Sequence, residues 1–339
     1  MKLRVGVVGL GNAWDTRHAP ALRALSDRFD VTAICEQVSH RAERVAAEFQ
    51  AQAVDGYRAL AFRSDVDAVV MLSPQWYGSL PILAACDAGK AVYCAAAIDM
   101  APDEALRVKQ RVDQSGIAFM AEFPKRQAPA TLRLKELIAT RLGAPKLLFC
   151  HQRLPTESEQ RTLPASAPAA SPKHSMIELV DWCRYVVDRE PASVIGIGHS
   201  MRPEPDAEDY EMMSLDFSQP GETGTGPIAQ ISCSRYFRPE WPEARNFRTT
   251  AALQVACEHG VAFVDLPATV VWFDTAGRHL ETLDSERPVG EQLLAQFHRA
   301  VTSLVRRTAD LDDAYRAHSV VLKARESRRL GQRLAIDDL

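Results

Sequence analysis

One histidine and two carboxylates near the middle of the chain have the spacing that places side chains on one helix face. His174, Glu178 and Asp181 lie at positions i, i+4 and i+7. A histidine beside a glutamate can transfer protons, because burial raises the pKa of the carboxyl group and the carboxylate raises that of the imidazole. The pair could also ligate a metal ion, or His174 could be a capping residue beside a solvated Glu178. We keep His174 and Glu178 as catalytic candidates and expect no metal. Pro172 and Ser175 are start signals that place His174 just before the helix proper.

A basic pair follows the fifth apolar segment of the chain. Lys125 and Arg126 come after the predicted carboxyl end of that strand, where ligands of open α/β sheets bind. Lys125 is therefore a third catalytic candidate, and the alternative is a pair of surface charges at a domain junction. Tyr236 could also line a site, and Trp76 and Tyr77 could stack on a sugar or a nicotinamide ring or serve only as packing.

A glycine pair near the start of the chain has the context of a dinucleotide-binding turn. Gly9 and Gly11 follow a strand and precede a helix, which lets backbone N–H groups approach a pyrophosphate. Glu36, about 25 residues on, can accept a hydrogen bond from a ribose 2′-hydroxyl and repels a 2′-phosphate, so we expect NAD rather than NADP. Trp14 occupies the third small-residue position, so the helix start shifts, the pyrophosphate is held differently, or the turn binds no nucleotide. The cofactor-binding candidates are Gly9, Gly11, Asn12, Ala13, Glu36, Ser73, Pro74 and Gln75.

The pattern of predicted strands and helices that position these residues changes along the chain. The first ~120 residues alternate apolar runs with amphipathic stretches at repeats of about 25–35 residues, which is typical of right-handed βαβ units. The predicted strands are 3–8, 31–35, 66–72, 91–94 and 118–121. The predicted helices between them are 19–25, 41–49, 81–88 and 102–114.

After this region, short alternating segments replace the βαβ repeats. The predicted strands are 145–152, 193–199, 210–217, 229–236, 253–258, 261–265 and 269–274, and the predicted helices are 129–138, 176–187, 291–306 and 312–330. Residues 154–172 are rich in Pro, Ala and Ser and predict a surface or lid loop. The fold class is α/β, with a Rossmann doubly wound parallel sheet in residues 1–122. Residues 123–339 form a C-terminal α+β domain with a mainly antiparallel open sheet.

Composition limits the function classes. Of 339 residues, 46% are hydrophobic and 25% are charged, as in ordinary globular proteins. A net charge of −4 argues against a nucleic-acid partner. The absence of an apolar run of about 18 residues argues against a membrane partner. Seven dispersed cysteines without paired spacing suggest a reducing compartment, which predicts a cytoplasmic location.

Six segments, in order and at matching spacing, resemble the motifs of one protein family. They are VGVVGLGNAWDTRHAPAL, VTAICEQVSHRAERVAAEF, Asp67-Ala68-Val69-Val70 followed by Ser73-Pro74, Ala85-x-x-Ala88-Gly89-Lys90-x-Val92, Lys125-Arg126 with Pro129, and Ala324-x-x-Ser327-x-x-x-Gly331. The family is Gfo/Idh/MocA (glucose–fructose oxidoreductase, inositol dehydrogenase and relatives), and the resemblance covers nearly the whole chain.

The resemblance implies a nicotinamide-dependent enzyme that acts on a sugar or a cyclic polyol. It also implies an open sheet that joins copies into a homodimer or a homotetramer. We expect Trp241, Phe247, Val271 and Trp272, which lie in or beside the alternating strands, to contribute to that interface.

The usual catalytic residues of the family are missing. The resemblance implies a lysine in an E-K-P motif, but Ala95-Ala96-Ala97 stands there, and Gly78 replaces the histidine of a P-N-x-x-H turn. The family's D-x-x-x-H helix corresponds to His174-x-x-x-Glu178. Alanine can neither donate nor accept a proton, so the usual chemistry does not carry over.

Three functional hypotheses remain. The first is an atypical NAD-dependent oxidoreductase, in which Glu178, His174 or Lys125 takes over proton transfer. The second is a non-redox lyase, epimerase or hydrolase of a carbohydrate-like ligand, built on His174 and Glu178. The third is a catalytically inactive binding or regulatory protein. The alanine triplet favours the second and third, and the glycine turn with Glu36 favours the first.

Overall fold

The computed structural model describes residues 1–11, 13–95, 100–154, 172–200, 209–219, 222, 224–236, 251–283, 287–303 and 309–336. Within these ranges it does not describe the side chains at positions 74, 75, 172–174, 309 and 310. Five residues named above therefore lie outside the described part: Asn12, Ala96, Ala97, Trp241 and Phe247. So does nearly all of the predicted loop 154–172.

Fifteen strands are described. In chain order they are β1 (Leu3–Val8), β2 (Phe29–Cys35), β3 (Gln52–Ala53), β4 (Ala68–Met71), β5 (Ala91–Cys94), β6 (Phe119–Ala121), β7 (Pro145–Arg153), β8 (Ser193–His199), β9 (Tyr210–Asp216), β10 (Ile228–Ser234), β11 (Leu253–Cys257), β12 (Val261–Asp265), β13 (Thr269–Asp274), β14 (Gly277–Thr282) and β15 (Leu334–Ala335).

Eleven α-helices are described, together with two π-helical turns, Trp14–His18 and Ile138–Leu142. The helices are α1 (Ala19–Ala24), α2 (Ser39–Phe49), α3 (Tyr57–Ala61), α4 (Pro74–Tyr77), α5 (Leu80–Asp87), α6 (Pro102–Ser115), α7 (Pro124–Gln127), α8 (Pro129–Leu137), α9 (Pro172–Val187), α10 (Val289–Thr302) and α11 (Ala309–Leu330).

The chain divides into two compact units. Unit 1 comprises Met1–Pro124 and Arg287–Tyr315, and unit 2 comprises Lys125–Glu286 and Arg316–Leu339. This grouping differs from the predicted boundaries, which assign every residue after 122 to the second domain. The helix α10 belongs with unit 1 because Leu293, Leu294 and Phe297 are buried in its core.

Unit 1 is a six-stranded sheet in the order β3-β2-β1-β4-β5-β6, and every described strand pair in it is parallel. Its central strands are apolar on both faces because successive side chains enter different cores. Val7 and Val70 pack in the core with α1 and α10, whereas Val8 and Met71 pack in the core with α5 and α6. This burial on both faces explains why continuous apolar runs predicted these strands.

Unit 2 is a nine-stranded sheet in the order β14-β13-β12-β11-β7-β10-β9-β8-β15. Its pairs are antiparallel except for β10 and β7, which run parallel. Residues of α8, α9 and α11 cover one face of this sheet as a single core. The predicted fold class, a parallel Rossmann sheet followed by a mainly antiparallel one, is confirmed.

Alternation along the strands separates the covered face of unit 2 from the other face. Large apolar side chains are exposed on that other face, among them Leu147, Phe149, Ile197 and Phe273. Val271 lies on this face, but Trp272 points the opposite way, is 3% exposed and stacks on His279. Adjacent strand residues cannot share a face, so the grouping of Trp272 with an exposed surface is wrong.

The remaining differences from the predicted elements are local. The helix α9 begins at Pro172, four residues before the predicted start, so His174 lies inside the helix rather than before it. Proline is well tolerated in the first turn of a helix, which accounts for the earlier start. The short elements β3, β15, α3, α4 and α7 were not predicted, because two to five residues are too few to show a period. The six-residue strand β14 was not predicted either.

Candidate functional site

The turn after β1 requires glycine at two positions. Gly9 and Gly11 have φ of +68° and +59°. A Cβ on Gly11 would lie 2.4 Å from the carbonyl oxygen of Leu72, and one on Gly9 would lie 2.5 Å from the Cβ of Ser73. Backbone conformation and close approach to the end of β4 thus both exclude a side chain.

Glu36, directly after β2, ties the second strand to this turn. Its carboxylate accepts hydrogen bonds from the backbone N–H groups of Leu10 and Gln37, each at 2.8 Å. A carboxylate has about four acceptor positions, so these bonds leave room for a ribose hydroxyl. The Arg41 guanidinium lies 3.8 Å from the same carboxylate. The turn and Glu36 therefore fit the adenosine side of a dinucleotide.

The other cofactor candidates surround the same turn. The Ser73 hydroxyl accepts the N–H of Gly11 at 2.9 Å and so fixes the end of β4 against the turn. Pro74 and Gln75 begin α4, but their side chains lie outside the described part. Ala13 caps the π-helical turn that leads away from the glycines.

Trp14 is accommodated by that π-helical turn. The carbonyl of Ala13 accepts the N–H groups of both Arg17 and His18, at 2.9 and 3.0 Å, which widens the first turn. The indole of Trp14 is 2% exposed and packs on Phe49, with ring centroids 5.6 Å apart. The bulky residue thus enters the core, and the helix starts with a different geometry from the one that the glycine motif predicts.

The alanine triplet begins at the end of β5. Ala95 is 8% exposed, and its N–H bonds the carbonyl of Met71 at 2.9 Å. Gly78, where the resemblance implies a histidine, has φ of +60° and lies in the turn between α4 and α5. Neither position offers an ionisable side chain.

A buried charge cluster in unit 1 was missed by the sequence analysis. Glu122 follows β6, is 3% exposed, and pairs with Arg17 and with the Nε2 of His18 at 2.9 Å. Tyr93 is fully buried beside them, with its ring edge-on to His18 at 6.3 Å. A carboxylate directly after an apolar strand was an available signal, because strand ends carry functional groups in open sheets.

The principal candidates in unit 2 meet each other. Lys125 on α7 donates a hydrogen bond to Glu178 on α9, and the two side chains are 15% and 16% exposed. The neighbouring Arg126 donates to Asp181 through Nε at 2.6 Å. Because Glu178 and Asp181 are three residues apart on one helix, adjacent cations of α7 reach both. The His174 side chain lies outside the described part.

A polar row crosses three strands near the Lys125–Glu178 pair. Gln152, Cys233 and Glu211 are paired across β7, β10 and β9, on the face that the helices cover. Arg325 donates to both carboxylate oxygens of Glu211, at 3.0 and 3.2 Å. Burial raises the pKa of Cys233 to about 12, although Arg235 and, to a smaller extent, Lys125 oppose it. Cys233 is therefore a neutral thiol rather than a nucleophile.

The aromatic candidates differ in exposure. Trp76 is 65% exposed and Tyr236 is 44% exposed, whereas Tyr77 packs edge-on against Tyr57 at 6.3 Å. Burial, with smaller contributions from Cys35 and Glu36, raises the pKa of Tyr77 well above its usual value, so its phenol stays neutral. Among the described side chains no group of three His, Cys, Asp or Glu lies close enough together to hold a metal ion. No described helix is both long and apolar enough to cross a bilayer.

Comparison with known proteins gives matches along much of the chain. Residues 3–123 match the family model GFO_IDH_MocA, an oxidoreductase family with an NAD-binding Rossmann fold. The chain is 31% identical over 207 residues to an inositol 2-dehydrogenase of Mycolicibacterium smegmatis, covering 60% of this chain and 57% of that protein. It is 33% identical over 198 residues to an inositol 2-dehydrogenase of Acidothermus cellulolyticus, covering 57% of each.

These matches span little more than half the length of the curated relatives. Solved structures match over a greater length but with lower identity. An oxidoreductase of Thermotoga maritima has a TM-score of 0.81 at 17% identity, covering 99% of this chain and 98% of that one. This likeness shows the fold alone.

Proposed function

We propose that the chain, whose residues 3–123 match the Gfo/Idh/MocA oxidoreductase family, is an NAD-dependent oxidoreductase of a sugar or a cyclic polyol. Its proton-transfer group would be the Lys125–Glu178 pair instead of the family's E-K-P lysine. That ion pair is the observation that carries the proposal, because it supplies a cation and a base together in a chain whose usual lysine position holds alanine.

The preference for NAD rests on Glu36. Its carboxylate is held at the glycine turn by Leu10 and Gln37. A ribose 2′-hydroxyl can donate to a carboxylate there, whereas a 2′-phosphate would meet a like charge. Arg41, at 3.8 Å from the carboxylate, reduces this repulsion.

The Lys125–Glu178 pair would move the hydroxyl proton. As a secondary alcohol is oxidised, its O–H bond breaks and the proton passes to the Glu178 carboxylate. The Lys125 ammonium stabilises the negative charge that develops on the oxygen. Bound NAD would accept the hydride from the carbon. Both side chains are about one-sixth exposed, so a substrate can reach them.

The polar row supports a hydroxyl-rich substrate. The Gln152 side-chain oxygen is buried without a hydrogen-bond partner among the described residues, and the Glu211–Arg325 pair lies in the same row. Sugar hydroxyls both donate and accept, so they match an amide and an ion pair. The names of the inositol 2-dehydrogenase relatives agree with such a substrate class.

Cofactor titration followed by a substrate panel tests the proposal. We expect calorimetry to show tighter binding of NAD(H) than of NADP(H). We expect weak turnover of common sugars and inositols, followed at the absorbance of the reduced nicotinamide. Binding of neither cofactor would overturn the proposal and favour an inactive binding protein. Cofactor-independent conversion of a carbohydrate, seen by mass spectrometry or NMR, would favour a lyase, epimerase or hydrolase.

We also propose that the exposed sheet face of unit 2 joins two or four copies of the chain. Its exposed apolar side chains include Phe149 and Leu280, on strands β7 and β14. An apolar sheet face of this kind is usually covered by a partner. Light scattering at micromolar concentration should give the mass of a dimer or a tetramer. The substitution Phe149→Asp should shift the measured mass toward that of the monomer. A monomeric wild-type protein would contradict the proposal.

A further inference from the structure

The buried cluster of Arg17, His18 and Glu122 has no part in the proton-transfer chemistry proposed above. Glu122 and His18 are almost completely buried, and the side chain of Arg17 is 29% exposed. Burial opposes the charge on Glu122, but His18 and Arg17 outweigh it and hold the pKa of Glu122 below its usual value. The carboxylate is therefore ionised inside a protein core.

Such a cluster is a costly way to stabilise a core. Desolvation of buried charges removes much of what their attraction contributes, and apolar residues of similar volume often stabilise as well or better. Phe297 of the same core is apolar and packs against the ring of Tyr93. The cluster therefore requires a role that packing alone does not fill.

The position of Arg17 and His18 indicates that role. Arg17 and His18 end the π-helical turn that leads out of the glycine turn, and their N–H groups share the carbonyl of Ala13. A π-turn is rare and is found mostly as a single turn, frequently at functional sites, so we infer that surrounding contacts hold this one. Glu122 provides such a contact from a fixed point, because its own N–H is bonded to the carbonyl of Cys94 at 2.9 Å.

We propose that Glu122 is a positioning residue of the dinucleotide site. Through Arg17 and His18 it holds the π-turn, and the π-turn sets where the glycine turn meets the pyrophosphate. This inference rests on the proposed dinucleotide binding. It assigns to Glu122, which lies in a different β–α unit from the glycines, a part in cofactor affinity without contact with the cofactor.

The experiment compares Glu122→Gln with the matched control Glu48→Gln, whose carboxylate pairs with Arg23 on the surface of the same unit. Calorimetry measures the affinity for NAD and for AMP, which lacks the pyrophosphate. We expect Glu122→Gln to weaken NAD binding by about tenfold or more, since small misplacements have large effects on a positioned ligand. AMP binding should change by less than about threefold, and the control should change neither. An unchanged NAD affinity, or an equal loss for NAD and AMP, would overturn the inference.

A second measurement needs no cofactor. Amide hydrogen exchange in Glu122→Gln should be faster by about tenfold or more at Arg17 and His18, while amides of β1 keep their protection. Unchanged exchange at these two amides would overturn the inference even if the wild-type protein binds NAD. If the wild type binds neither NAD nor NADP, the proposed function itself fails, and the exchange result still shows whether Glu122 holds the π-turn.

Discussion

Each unit sets a carboxylate against neighbouring basic side chains, and the two sites differ in how much water reaches them. In unit 1, Glu122 lies between Arg17 and His18 and is 3% exposed. In unit 2, Glu178 lies against Lys125, and its side chain is 16% exposed. The Glu122 cluster lies in the core of unit 1, just after the end of β6. The Lys125–Glu178 pair joins the short helix α7 to one face of α9.

This difference in burial gives the same chemical groups two different roles, a structural one in unit 1 and a proton-accepting one in unit 2. A buried carboxylate that pairs with Arg17 would leave a charge uncompensated if it took up a proton, so its contribution is to structure. A carboxylate that water reaches can also be reached by a substrate hydroxyl, so it can serve as a base. Removal of each carboxylate should therefore affect different properties: stability and cofactor affinity in unit 1, and turnover in unit 2.

The largest expected effect is on the stability of unit 1. Glu122→Ala leaves Arg17 and His18 without their partner and should lower the free energy of unfolding by about 3–5 kcal/mol. Glu48→Ala, which removes a surface pair with Arg23, should cost no more than about 1 kcal/mol. Urea unfolding of both variants measures the contrast. If both variants lost the same unfolding free energy, burial would not make the Glu122 cluster more important to stability than the surface pair.

The next effect is on turnover. Whatever dehydrogenase activity the protein shows should fall about 100-fold or more in Glu178→Gln, because the amide cannot accept the hydroxyl proton. Glu136→Gln, which removes a mostly exposed carboxylate paired with Arg133 in the same unit, is the control and should leave activity unchanged. Steady-state rates of wild type, Glu178→Gln and Glu136→Gln measure this contrast. Full activity in Glu178→Gln would transfer the proposed role to His174 or Lys125.

A smaller effect concerns cofactor choice. Glu36→Gln removes the negative charge that repels a 2′-phosphate and keeps a group that can accept a hydrogen bond. The preference for NAD over NADP should fall by about tenfold, as expected for one like-charge contact near the surface. Calorimetric titration of both cofactors against wild type and variant measures the ratio. An unchanged ratio would mean that Glu36 only holds the glycine turn.

The smallest effect is the dependence of stability on acid. Since His18 and Arg17 lower the pKa of Glu122 despite its burial, its ionised form stabilises the folded state above the unfolded pKa of about 4.3. That contribution is lost as the pH falls through the lower folded pKa. The difference in unfolding free energy between wild type and Glu122→Gln should shrink as the pH falls from about 5 to below about 4. If this difference in unfolding free energy increased in acid, the pKa of Glu122 would not be lowered in the folded state.

Much of unit 1 could be predicted because its signals are local. Apolar runs found the strands β1, β2, β4, β5 and β6 to within two residues at each end, since strands buried on both faces are apolar throughout. In unit 2 the alternation of apolar and polar residues found β7 to β13 in the same way. The sixth strand of unit 1, β3, is two residues long and too short for any period to show.

The candidate site was predicted only as separate residues. Lys125 and Glu178 were both named, but they are 53 positions apart, and nothing local indicates that they pair. His18 and Glu122 are 104 positions apart, and the partnership was missed entirely. Trp14 was recognised as a departure from the glycine motif, yet only packing against Phe49 and the π-turn decided where the indole goes.

The sequence by itself determined which groups are available: glycines where the backbone must turn tightly, Glu36 at the end of the second strand, and alanine in place of a catalytic lysine. These follow from residue type and short-range spacing, because φ preference, hydrophobic period and ionisability belong to single residues or short segments. The tertiary structure alone decided which cation meets which carboxylate and how much water reaches each pair. Strand register and helix packing bring distant segments together, and the environment made there gives Glu122 and Glu178 different roles.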